Sequence, residues 1–188
     1  RQVQAISVTY GMEGAGFSDY LPTRWIYNEY KQEQTVDAKS DPRLLVTIAS
    51  FEPADNSTLA YGRPWFNPTN RIYPRKYTND GFGPSVEDQF RSGINYRILR
   101  YADILMLHAE ALNELGRTAE AYSFIQQVRN RAKLPNLATV KPGMSQAEMR
   151  DQIAHERFLE FAIEGQRIND LIRWGWFENP AKLAFLRS

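Results

Sequence analysis

The sequence predicts a mainly α fold, in which a helical-repeat scaffold carries an irregular, loop-rich lobe with a few short strands. From 96 to 176, apolar residues recur at three- and four-residue spacing between helix start and stop signals. From 1 to 95, turn formers arrive every few residues, in "GMEGAG", "EPADNS", "YGRPWFNPTN" and "YPRKYTNDGFGP", and no long period survives. These two grammars divide the chain into a front lobe, 1–95, and a scaffold, 96–188.

In the front lobe, "VQAISVT" (3–9) and "LLVTIASF" (44–51) read as short extended pieces. A helix is expected over 22–32, with Pro22 near its start and Thr23 capping it. The stretch 52–92 has no period but many aromatic residues, which is the character of a binding surface rather than of a disordered insertion. "GMEGAG" lacks the Lys-Ser/Thr of a phosphate loop and reads as a flexible turn.

In the scaffold, Ile98, Tyr101, Leu105, His108, Ala109 and Leu112 mark a helix over 97–114, which Gly116 stops. Thr118 is expected to cap a second helix carrying Ala121, Tyr122, Ile125, Val128 and Ala132, with Pro135 after its end. Ser145 and Glu148 form a capping box for a third helix, 146–164, that Gly165 interrupts or ends. "INDLIRWGWF" continues as helix before Gly175 and Pro180. The pair at 102–135 fits one tetratricopeptide-like repeat. A single repeat cannot bury its own faces, so either other helices of the fold complete it or the chain is part of a longer protein.

Bulk properties exclude several classes. Net charge is +1, so no basic excess exists to neutralise phosphates, and nucleic acid is a poor partner. Cysteine is absent, which removes disulfides, thiolate metal sites and a cysteine nucleophile. No apolar run approaches the ~18 residues of a membrane span.

The stretch "ERFLEFAIEGQRINDLIRWG" (156–175) raises an acid–base or metal reading, because Glu156, Glu160 and Glu164 recur every four residues. His155 has no second histidine four residues on, so a zinc helix is not expected. The favoured reading is structural: intrahelical ion pairs, plus arginine contacts to neighbouring helices, with Arg167 a member of that face. Arg100 and Asp103 are expected to pair with this helix, and His108 to be a core or interhelical histidine. No catalytic residue, no metal and no cofactor is predicted.

Recognition is assigned to the aromatic loops instead. Trp65, Tyr61, Phe66 and Tyr73 stand among Arg63 and Asn67, and Tyr20 and Trp25 supply a second wall. Sugars offer one apolar C–H face and a rim of hydroxyls, which rings and planar polar groups can meet together. The same rings can instead form satellite cores under long loops. An arginine–aromatic mixture also suits single strands of nucleic acid, against which the balanced charge argues.

Taken together, "YRILRYADILMLHAEALNELG", "AYSFIQQVRNRAKLP" and "IAHERFLEFAIEGQRINDLIRWG" resemble the C-terminal part of the SusD/RagB family of outer-membrane nutrient-binding lipoproteins. Upstream, "YLPTRWIYNEY" and "DPRLLVTI" resemble that family's "PT" helix and "DPR" strand. The resemblance implies non-catalytic capture of an oligosaccharide at the cell surface. It also implies delivery to a SusC-like TonB-dependent transporter, and attachment to the outer membrane only through a lipid anchor outside this sequence. It further implies that the chain is a portion of a longer one. A helical protein–protein adaptor and a peptide binder are the alternatives.

Overall fold

A computed structural model describes residues 6–81 and 92–187. Its most regular part is the predicted helix pair, α4 (Tyr101–Glu114) and α5 (Thr118–Arg131). Leu105, Met106, Ala109 and Leu112 of α4 close on Ala121, Ile125 and Val128 of α5. Gly116 stands in the turn between them, and the Thr118 hydroxyl donates to Asn113 Oδ1 across it at 2.8 Å. Thr118 therefore ties the two helices together rather than capping α5, whose N-cap is Arg117.

The first helix starts at Tyr101, four residues later than the expected 97. Ile98 is exposed and Arg100 is extended, because the Arg100 side chain turns away toward the third helix. His108 lies on the outside of α4, where it stacks on Phe124 of α5 with centroids 4.2 Å apart. It is an interhelical ring, not a core one.

The missing cover for the pair comes from α7 (Gln146–Glu160), which the short α6 (Leu137–Val140) precedes. The expected Ser145–Glu148 capping box starts α7. Met149 and Ile153 seat it on α4 and α5. Its opposite side, Ala154, Phe158 and Leu159, forms a second core with Ile26 and Tyr30 of α2 (Arg24–Gln32) and Leu44 of α3 (Arg43–Thr47). Leu171 of α8 (Arg167–Arg173) and Trp176 complete that core. Between α7 and α8, residues 161–165 are a turn in which Ile163 and Gly165 both have positive φ. A last helix, α9 (Pro180–Arg187), was not legible in the sequence.

The front lobe is held by short pieces. The expected Thr23 cap opens α2 and accepts from Ile26 N–H. Strand β1 (Ile48–Ala49) pairs antiparallel with β4 (Tyr73–Pro74), and β2 (Leu59–Ala60) with β3 (Arg63–Pro64) through the Tyr61-Gly62 turn. Both turn residues have positive φ, the geometry that lets a two-residue loop follow strand twist. The segment 44–51 is strand only at 48–49: Asp41 accepts from the Arg43 backbone N–H at 2.9 Å and nucleates a helical turn, α3. The extended reading of 3–9 fails over the described part, which is α1 (Ile6–Tyr10); residues 3–5 lie outside the described residues. "GMEGAG" forms a tight loop. A Cβ on Gly16 would come within 2.6 Å of the Gly11 backbone, and Met12 is buried in a third core with Ala49, Tyr61 and Tyr73.

Candidate functional site

The three glutamates are interior. α7 packs on both sides, so Glu156, Glu160 and Glu164 in the following turn are all buried. A buried carboxylate needs a cation with good geometry. Arg43 Nη1 reaches Glu156 at 2.5 Å, and Arg129 Nη1 reaches the other oxygen at 3.1 Å. Arg100 and Arg131 both bond Glu160 Oε1, and Arg43 stands 3.6 Å from Oε2. Glu164 takes Arg100 Nε at 2.8 Å and Lys76 at 2.7 Å. Arg157 is closed by Asp103 at 2.6 Å and Asp170 at 2.8 Å. Both expected pairings of "RYAD" are thus present. Of the expected intrahelical pairs, Arg173–Asp170 within α8 is present at 2.9 Å, whereas the partners of the three glutamates come from other segments of the chain.

Each of these buried carboxylates has at least one cation beside it. Burial by itself would raise Glu164, but the Arg100 and Lys76 bonds outweigh it and hold the carboxyl below its usual value. Burial also lowers the Lys76 ammonium, against the pull of Glu164. Glu160 and Glu164 do edge a cavity of about 360 Å³, but Lys76, Arg97, Arg100 and Arg131 share its wall. Among the described residues, no cluster of three or more His, Asp or Glu could hold a metal. No helix of the described chain is long and apolar enough to cross a membrane.

The aromatic candidates separate into two sets. Tyr61 and Tyr73 are inside the third core, and their rings offer no face to a ligand. Tyr61 sits at the turn with its N–H bonded to Asp80 and its ring folded inward, where its hydroxyl accepts from Met12 N–H. Tyr73 points its hydroxyl to Glu13 at 3.4 Å. Trp65 is half-buried against the same core, 6.1 Å from Phe51, so packing is its principal contact.

The second set reaches solvent. Phe66 is 40 % exposed and lies against Gly14, while the Arg63 guanidinium covers its ring at 4.9 Å. Tyr20 is 62 % exposed, edge-on to Tyr10 at 5.6 Å. Their loops are pinned together: Asn67 Nδ2 donates to the Glu13 carbonyl at 2.9 Å, and Arg71 pairs with Glu13. Trp25 belongs elsewhere. It faces α7 and α9 beside Phe158 and Phe185, with Arg167 over its ring at 5.0 Å. The structure therefore does not bring the eight predicted residues to one site. Arg167 is the residue that sequence reasoning misplaced, because the turn at 161–165 rotates it off the glutamate face.

The model of the SusD family matches residues 2–186. A SusD-like protein from Formosa agariphila is 31% identical over 172 residues, covering 85% of this chain and 32% of its own length. Another from the same organism is 39% identical over 103 residues, covering 52% of this chain and 20% of its own. Among solved structures, a SusD superfamily protein from Bacteroides vulgatus superposes with a TM-score of 0.79 at 28% identity, over 93% of this chain and 37% of that one. A SusD-like carbohydrate binding protein from Bacteroides fragilis shares the fold, with a TM-score of 0.54 at 22% identity, over 88% of this chain and 37% of that one. The chain spans between a fifth and about a third of these curated relatives.

Proposed function

The chain belongs to the SusD family, and from that premise we propose that it forms part of a cell-surface protein that binds a glycan without transforming it and passes it to a TonB-dependent transporter at the outer membrane. The observation that carries this reading is the Phe66–Arg63 pair. It is a part-exposed ring beside a planar cation, on a loop that Asn67 and Arg71 fix to the neighbouring Gly-rich turn. Rigid loops that display a ring beside hydrogen-bonding groups are suited to sugars. The buried, cation-closed carboxylates support binding without hydrolysis.

Calorimetric titration of the full-length natural protein with a panel of oligosaccharides tests it. At least one should bind and be recovered uncleaved, and a TonB-dependent transporter should copurify. Heat with peptides but with no glycan would overturn the reading in favour of a peptide binder.

A further inference from the structure

The cleft between α2, α7 and α9 holds a feature that neither the frame nor the front loops absorb. Its volume is about 640 Å³, and Leu21, Trp25, Phe158, Ile163, Arg167 and Phe185 line it. Every other described arginine that is buried or half-buried is closed by a carboxylate: Arg43 by Asp41 and Glu156, Arg75 by Asp80, Arg100 by Glu160 and Glu164, Arg129 by Glu33 and Glu156, Arg157 by Asp103 and Asp170. Arg167 is half-buried, and among the described residues it has no ion pair and no hydrogen bond. It lies over the Phe158 ring at 3.8 Å and the Trp25 ring at 5.0 Å.

Ring faces attract a guanidinium but accept none of its hydrogen bonds in the way an oxygen does, so its N–H fork is still available to a planar anion. Burial lowers the Arg167 guanidinium from its usual value, with no carboxylate to offset it. The cleft wall also holds strain: Ile163, a β-branched residue, has φ +68°, a conformation such residues seldom adopt unless the surroundings fix it.

We propose that this cleft is a subsite for an acidic sugar, whose carboxylate pairs with Arg167 and whose C–H face meets the aromatic wall at Trp25 and Phe185. The choice of a sugar rests on the function proposed above; the carboxylate rests on Arg167 alone. A carboxylate is matched in plane and spacing to the guanidinium fork. Phe185 is 43 % exposed and stands edge-on to Trp25 at 5.8 Å, which puts aromatic surface at the cleft mouth.

The test uses the full-length natural protein and trigalacturonate, with its methyl ester as the neutral control, by calorimetry at low salt. The acid should bind the wild-type protein roughly 10- to 150-fold more tightly than the ester, the range for a charge-assisted bond. Arg167→Gln should remove that preference and Arg167→Lys should keep part of it. The ester comparison needs no variant, so a misfolded Arg167→Gln does not stall the test. Equal binding of acid and ester overturns the proposal. If, in addition, Arg167→Gln lowers the melting temperature while acid and ester bind the wild-type protein alike, the proposal also falls, since the carboxylate would then come from the protein's own remaining chain. If neutral glycans bind and the acid shows no advantage, the glycan reading stands and this one falls. If no glycan binds, both fall.

Discussion

Arginine against an aromatic ring occurs in the frame and in the open surfaces, with opposite outcomes. In the frame, Arg100 and Arg157 lie over Phe161 at 4.5 and 4.9 Å, and each is also locked to carboxylates. On the front loops and in the α2–α7–α9 cleft, Arg63 over Phe66 and Arg167 over Phe158 keep the ring contact but have no carboxylate among the described residues. The ring contact is common to both pairs of arginines; closure by an acidic partner is what separates Arg100 and Arg157 from Arg63 and Arg167.

The comparison breaks most visibly at Glu156. Glu156→Ala leaves Arg43 and Arg129 buried with a partner removed, and breaking such a pair costs about 3–5 kcal/mol. In a chain of this size that corresponds to a fall of roughly 6–20 °C in melting temperature, read by circular dichroism. An unchanged Tm would show the network to be ornamental. On the open side, Phe66→Ala should weaken glycan binding by about 1–3 kcal/mol, the cost of truncating an interface anchor. Thermal unfolding of that variant should be nearly unchanged, and the reverse result would move Phe66 into the core set.

Acid offers a subtler discrimination. The folded Glu164 carboxyl is held below its ordinary value of 4.5, first against burial and then by Arg100 and Lys76. An unfolded chain therefore binds its proton at higher pH than the folded one. The stability this group contributes is fully present above pH 4.5 and is lost as pH falls through the folded value. Glu164→Gln should flatten that acid limb, whereas Phe66→Ala should leave its shape alone. The smallest effect is expected at the solvent-exposed Arg150–Glu114 pair, where Arg150→Ala should leave Tm unchanged within measurement.

Much of the frame was legible because its signals are local. The Ser145 box, the Thr23 cap and the Leu105–Leu112 spacing are decided within a few residues, and each appears as read. The front lobe was less so. Ile6–Tyr10 has strand-like composition yet forms a helix, and Tyr61 looks like a display residue yet folds inward, because long-range packing with Met12 and Tyr73 decides its place. Arg167 was misplaced for the opposite reason. One turn with two left-handed residues, Ile163 and Gly165, breaks the four-residue register that places Arg167 with Glu164 in the sequence.

The position of α7 between two cores has a dynamic consequence. Met149 and Ile153 belong to one hydrophobic cluster and Phe158 and Leu159 to the other, so neither can open without uncovering the shared helix. The backbone amides of 152–160 should then be the slowest in the chain to exchange with deuterium, releasing only in global unfolding, while the hairpin at 59–64 exchanges by local fluctuation. The tetratricopeptide-like pair and the α2–α3 side would melt as a single cooperative unit, although the chain reads as two halves.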